Sequence, residues 1–148
     1  KREDTKINYG FVGDISFVNT KFIIGLLKNN LTPIFCAITH NKKGQLLNTN
    51  ADSIASEIAI NLSNDFKTKL FYCFEKKGVL KNLNDENSLI KKINLNDYKE
   101  LKKNNNISEG MIPKLDNCFY ALKNGVFEVK IGNNSMLINK KNSTELKI

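Results

Sequence analysis

Asn48, Thr49, Asn50, Ala51 and Asp52 open a helix at a point where an anion could be handled. Ala51, Ile54, Ala55, Ile58, Ala59 and Leu62 recur at the spacing of one apolar stripe on an amphipathic helix. Asn50 stands at the N-cap and Asp52 falls in the first turn. A helix N-terminus carries partial positive charge and free N–H groups, so it can hold a phosphate or another anion. Asn and Asp also cap helices for stability alone, and these residues by themselves leave both roles open.

Other chemistries find less support. Cys36, Cys73 and Cys118 lie in apolar stretches and read as reduced core residues of a cytoplasmic protein. There is no CxxC pair and His40 is the single histidine, so no metal site is expected. His40, ahead of Asn41, Lys42, Lys43 and Gly44, reads as a loop residue at a strand end. The net charge of +8 invites a nucleic-acid reading, but Arg2 is the only arginine and the lysines are spread among asparagines. Arginine is the preferred residue for bidentate phosphate and base contacts, so compositional bias explains the charge better. No apolar run approaches the roughly 20 residues of a membrane span, so neither nucleic acid nor membrane is expected as a partner. No apolar segment follows Lys1, Arg2, Glu3 and Asp4, so no signal peptide is expected, and without an initiator Met the chain reads as a fragment.

The elements that must position the helix can be read along the chain. At 148 residues, with 41% hydrophobic and 26% charged content, one domain with its own core is expected. Gly10 and Gly13 suggest turns or close backbone approach between short strands within residues 7–18. Phe22, Ile23, Leu26 and Leu27 form a helical stripe ending near Asn29 and Asn30. Residues 33–38 and 69–74 are continuous apolar runs, which suit adjacent parallel strands buried on both faces. Leu46 and Leu47 form a short strand leading to Asn48. Residues 81–94 read as irregular, anchored by Leu89 and Ile90. Short and longer helices are expected over 97–103 and 109–124, with Gly125 closing the second. A third strand is expected over 126–131, and Met136, Leu137 and Ile138 could add another. Strands alternating with helices imply an α/β domain with a mainly parallel sheet. Ligands of such sheets bind beyond the carboxyl ends of strands, here the loops at 40–44, 48–52 and 75–78.

Four segments in this order carry a resemblance: GFVGD at 10–14, GQLLNTNAD at 44–52, KGVL at 77–80 and GMIPK at 110–114. With them the chain resembles the amino acid kinase family, and within it the acetylglutamate kinases of arginine biosynthesis. The resemblance covers nearly the whole chain but matches the C-terminal, nucleotide-binding half of such kinases. It implies a three-layer αβα sandwich, with a missing N-terminal half that supplies glycine-rich phosphate loops, a second lysine and most of the acyl-amino-acid pocket.

The chemistry implied is transfer of a phosphoryl group from ATP, with Mg²⁺ bound to the nucleotide, to the side-chain carboxylate of N-acetylglutamate. Positioning and charge neutralisation dominate such a step. Lys114 matches the family lysine that stabilises the transferring phosphoryl group. A lysine in the first turn of a helix opposes the dipole, and that local penalty favours a functional role. Asp52 matches the aspartate that orients the catalytic lysines, and Asn48 the residue that binds the α-carboxylate side of the acceptor. Glu75, Lys76, Lys77, Gly78, Val79 and Leu80 match a segment that contacts adenine and ribose. Asn106, Ile107 and Ser108 match a second nucleotide segment. Most relatives have Asp followed by a small or apolar pair where this chain has Glu75, Lys76 and Lys77. The implied partners are ATP, an N-acylglutamate and the missing half, with a homodimer for the full-length protein.

Two further readings compete. One is a kinase for another acceptor: N-succinylglutamate, glutamate or aspartate. The other is a non-catalytic binding or regulatory module built on the same half-fold. The kinase reading requires Lys114 and Asp52 to meet at the sheet's C-terminal edge.

Overall fold

In the computed structural model, residues 8–82, 84–104, 107, 109–138 and 142–148 are described. The chain forms a mixed α/β domain in which a mainly parallel sheet is flanked by helices. Helix α1 spans Thr20–Lys28, strand β1 Ile38–His40, β2 Leu46–Asn48, α2 Ala51–Leu62 and β3 Lys69–Cys73. Then come β4 (Lys92–Asn94), α3 (Leu95–Lys103), α4 (Ile112–Lys123), β5 (Glu128–Gly132) and β6 (Thr144–Lys147). The main sheet has the order β3-β5-β6-β4. The β3–β5 and β4–β6 pairs are parallel, and β5–β6 is antiparallel. Strands β1 and β2 form a separate antiparallel hairpin.

Local chemistry explains the helix limits. The Asn50 side chain accepts a hydrogen bond from Ser53 N–H at 3.1 Å, capping α2 where expected. Helix α3 begins two residues before the expected Asp97, because Asn94 and Asp97 form a reciprocal capping box. A single 3₁₀ turn, Glu109–Met111, precedes α4, and Gly125 at φ +97° follows its C-cap. Leu115, Cys118 and Ala121 of α4 are fully buried with Val129 and Ile131 of β5, Ile93 of β4 and Leu146 of β6.

Several expectations need correction. Residues 33–37 form no strand, and Ile34 is 94% exposed. Only Ile38 of that run enters a strand, and that strand pairs with β2 rather than with β3. An apolar run signals a need for burial, but burial requires a partner, and β5 is the strand beside β3. Strand β3 alternates, with Leu70 and Tyr72 buried and Lys69, Phe71 and Cys73 exposed, so it is covered on one face. Cys36 is also exposed, which leaves Cys118 as the one buried cysteine among the three. Residues 92–94, expected to be irregular, are strand β4. Asn134–Leu137 is a 3₁₀ turn rather than a strand, and the added strand is β6 further on.

Candidate functional site

Helix α2 precedes β3, and α4 precedes β5, which runs parallel to β3. Both helices therefore start near the carboxyl ends of their following strands. Asp52 is the second residue of α2 and Lys114 the third of α4. Their side chains meet: Lys114 Nζ donates to Asp52 Oδ2 at 2.6 Å, with side chains 21% and 28% exposed. The carboxylate sits where the α2 dipole favours negative charge, whereas the ammonium sits where α4 disfavours positive charge. Asp52 thus supplies the compensating charge that α4 cannot.

Beneath the pair lies Tyr72, buried near the end of β3. Lys114 Nζ stands 5.6 Å from its ring centroid. Its hydroxyl donates to the Asp52 main-chain oxygen at 3.0 Å and is hydrogen-bonded to Ser56 Oγ. Burial pushes the Tyr72 phenol far above its ordinary range, so it stays a protonated donor. Burial does the same to the Cys118 thiol one turn beyond Lys114, partly offset by the Lys114 charge. That thiol is neutral and packs as an apolar group.

Asn48 ends β2. Its main chain is pinned by Asn48 N–H donating to Phe11 oxygen at 2.8 Å and by Gly13 N–H donating to its oxygen at 2.9 Å. A Cβ on Gly13 would meet Leu47 Cβ and Thr39 Oγ1 at 2.9 Å, so this close approach requires glycine. The Asn48 side chain is left without a hydrogen-bond partner among the described residues and is available to a ligand. Thr49, next in the chain, lines a polar cavity of about 200 Å³ between the first half of α2 and the middle of α4, bounded by Gly13, Asn50, Ser53, Glu57, Asn117 and Tyr120. The Tyr120 hydroxyl donates to Glu57 Oε1 at 3.3 Å across its rim. His40 ends β1, exposed, and its Nδ1 accepts from Lys42 N–H at 3.1 Å.

The loop after β3 holds Glu75, Lys76, Lys77, Gly78, Val79 and Leu80. Lys77 pairs with Glu86 at 3.1 Å on the surface. Val79 and Leu80 are buried, and the Val79 main chain is already paired, its oxygen accepting from Ile90 N–H at 2.8 Å. Thr144 fixes the loop: its hydroxyl accepts from Val79 N–H at 2.8 Å and donates to Ile90 oxygen at 2.6 Å. Ile107 is buried in the core, while Asn106 and Ser108 lie outside the described residues.

Tyr72, Ser56 and Thr144 escaped the sequence reading. A hydroxyl at an inward position of an otherwise apolar strand is the signal that could have drawn attention to Tyr72. Thr144 lay in a tail with no readable pattern.

The model of the amino acid kinase family matches residues 2–133. The acetylglutamate kinase of Azobacteroides pseudotrichonymphae genomovar. CFP2 is 49% identical over 142 residues, covering 96% of this chain and 55% of the relative. The crystal structure of smu.665 from Streptococcus mutans UA159 shares 33% identity with a TM-score of 0.76, covering 90% of this chain and 51% of that one. Carbamate kinase from Giardia lamblia bound to AMP-PNP shares the fold, with a TM-score of 0.66 at 18% identity over 89% of this chain and 50% of that one. The chain thus spans about half the length of the proteins it matches. Matched by the family model over residues 2–133, this chain, in which Asp52 of segment 44–52 meets Lys114 of segment 110–114, belongs to the amino acid kinase family.

Proposed function

We propose that this chain is the nucleotide-binding half of a kinase that moves the γ-phosphoryl group of ATP onto the side-chain carboxylate of N-acetylglutamate, a step of arginine biosynthesis. The observation that carries the reading is the ion pair between Lys114 and Asp52, formed across 62 residues by two helix starts. It is supported by 49% identity to an acetylglutamate kinase and by the AMP-PNP bound to the carbamate kinase that shares the fold.

In this reading Lys114 meets the transferring phosphoryl group. The hydrogen bond to Asp52 uses one of three ammonium protons, leaving two for phosphate oxygens. Asp52 orients that ammonium and is not a base. Asn48 offers its free amide to the acceptor's α-carboxylate side. Residues 75–80 contact adenine and ribose, and residues 106–108 form the second nucleotide-contacting segment. Mg²⁺ enters on the nucleotide. There it neutralises phosphate charge. The remaining half of the relatives' length supplies the other phosphate contacts and most of the acceptor pocket. No described helix is long and apolar enough to cross a membrane. As part of the proposal, the enzyme works in the cytoplasm with the other steps of amino-acid synthesis.

The test is ADP release coupled to N-acetylglutamate, first with this chain, then with the N-terminal half of a close relative added in trans. Glutamate, aspartate and N-succinylglutamate serve as alternative acceptors. Activity that appears only in the mixture and prefers N-acetylglutamate supports the reading. No activity with any acceptor in the mixture would leave a binding module.

A further inference from the structure

We propose that Tyr72 is a positioning residue for the Lys114–Asp52 pair: its ring carries the ammonium, and its hydroxyl fixes the turn of α2 from which Asp52 projects. The inference rests on the reading of that pair as the phosphate-handling site, and it adds a residue which the motifs do not contain.

The hydrogen-bond directions can be worked out. A phenol has one proton, and the carbonyl of Asp52 can only accept. Tyr72 therefore donates to Asp52, so Ser56 must donate to Tyr72. Ser56 is 1% exposed and lies one helical turn after Asp52. Tyr72 is thereby clamped to α2 at two points. A buried hydroxyl is costly unless bonded, and both bonds of this one go to the helix that carries Asp52. A phenylalanine would fill the same space without tying β3 to that turn.

The ring acts on the other partner. Lys114 lies in the first turn of α4, where the helix repels it, and its ammonium is held by Asp52 on one side and the Tyr72 face on the other. One buried side chain thus sets the height of the lysine and the position of the aspartate together. Phosphoryl transfer is sensitive to displacements of this kind, because positioning supplies much of its rate enhancement.

The experiment compares Tyr72→Phe, Tyr72→Leu and Ser56→Ala with the parent chain. The first readout is NMR of the lysine-labelled 148-residue chain, following the ε-methylene protons of Lys114. The ring should move them upfield in the parent and in Tyr72→Phe, and the shift should vanish in Tyr72→Leu. The second readout is steady-state kinetics with the complementary half present. Loss of one hydrogen bond should lower kcat about fivefold in Ser56→Ala, and loss of both should lower it about tenfold in Tyr72→Phe. Loss of ring and hydroxyl together should lower it about fiftyfold in Tyr72→Leu. KM for ATP should stay within about twofold, a split that simple loss of folded protein does not produce. A lost Lys114 shift in Tyr72→Leu supports the positioning role even if the mixture phosphorylates nothing, in which case the kinase reading alone fails. An unchanged shift and unchanged kcat in an active Tyr72→Leu enzyme overturn the role of Tyr72 and leave the kinase reading standing.

Discussion

Lys114 Nζ lies 2.6 Å from Asp52 Oδ2, joining the first turns of two helices that are 62 residues apart in the chain. Neither side chain is deeply buried, and exposed or half-exposed pairs contribute only about 0–1 kcal/mol to stability. Lys114 also opposes the α4 dipole, at a local cost of about 0.3–1 kcal/mol. The pair is thus nearly neutral for folding, and its placement is better explained by the phosphoryl group it would face.

Lys114→Ala should therefore leave the urea midpoint of the chain almost unchanged. In the complemented enzyme it should lower kcat by about 10²–10³, the scale of removing one donor from a developing negative charge. The ATP dissociation constant should change far less, because the contact strengthens in the transition state. Equal losses in kcat and in ATP affinity would mark a plain ATP-binding lysine instead. Asp52→Asn should show the same pattern with a smaller loss in kcat, since the lysine remains but is no longer held.

The loop after β3 makes a second prediction, through Gly78. A Cβ there would stand 2.5 Å from Thr144 Oγ1, 2.6 Å from Leu89 Cδ1 and 2.9 Å from Thr144 N. The Thr144 hydroxyl cannot yield, because it is bonded on both sides. Gly78→Ala should destabilise the chain by about 1–3 kcal/mol, the usual cost of overpacking. It should also speed amide exchange at Val79 and Ile90. Gly25, inside α1 with nothing within 4 Å of an added Cβ, is the control. Gly25→Ala should stabilise by about 0.5–1 kcal/mol. Chemical denaturation of both variants decides the matter.

Much of this arrangement was legible in the sequence, for identifiable reasons. Helix α2 and its Asn50 cap are local signals and appear where expected, although of the expected stripe only Ala59 and Leu62 are buried and Ala51 is exposed. The meeting of Asp52 with Lys114 followed from two motifs that each open a helix. What stayed hidden depends on distant contacts. Tyr72 acts through bonds that span 16 and 20 residues, which no local pattern reveals. Strand β6 has Thr144 and Leu146 buried, with Glu145 and Lys147 on the other face, too short an alternation to stand out in a polar tail. The run at 33–38 misled because an apolar composition states a demand for burial without showing what meets it. Its exposed Phe35 and Ile38 border the same open cavity as Phe17 and Phe22, which are also exposed.

The outer face of the sheet should control acid stability. Glu128 is bonded to Lys130 at 2.5 Å and to Lys69 at 2.9 Å. Lys130 first, and Lys69 after it, hold its carboxyl at about 2, below the ordinary 4.5. A carboxyl depressed in the folded state adds stability that is fully present above its unfolded value and is lost as pH falls through its folded value. The parent chain should therefore lose melting temperature progressively between about pH 4.5 and pH 2. Glu128→Gln should start lower at neutral pH and show a flatter acid limb across that window. Parallel acid limbs for the two proteins would remove Glu128 from the account.

The last prediction concerns the chain by itself. It should bind ATP–Mg²⁺ weakly and turn over no N-acetylglutamate. It spans 55% of the length of an acetylglutamate kinase to which it is 49% identical. On our reading the phosphate loops and most of the acceptor pocket belong to the remainder. On the same reading, the residues around Lys114, Asp52 and 75–80 allow some nucleotide contact. They cannot align an acceptor carboxylate with the γ-phosphorus, and such alignment accounts for about 7–11 kcal/mol of a barrier. The surface agrees with a missing cover. Phe17, Phe22, Phe35 and Ile38 border an open apolar cavity of about 380 Å³. Ile34 beside them is 94% exposed. Exposed apolar surface of this extent favours association, so the isolated chain should be poorly soluble and Ile34→Lys should improve its solubility. Adding the complementary half should protect residues 33–38 from amide exchange and restore ADP release in the same titration. Turnover by the chain alone, with those amides still exchanging freely, would show that the 148 residues contain a whole catalytic site.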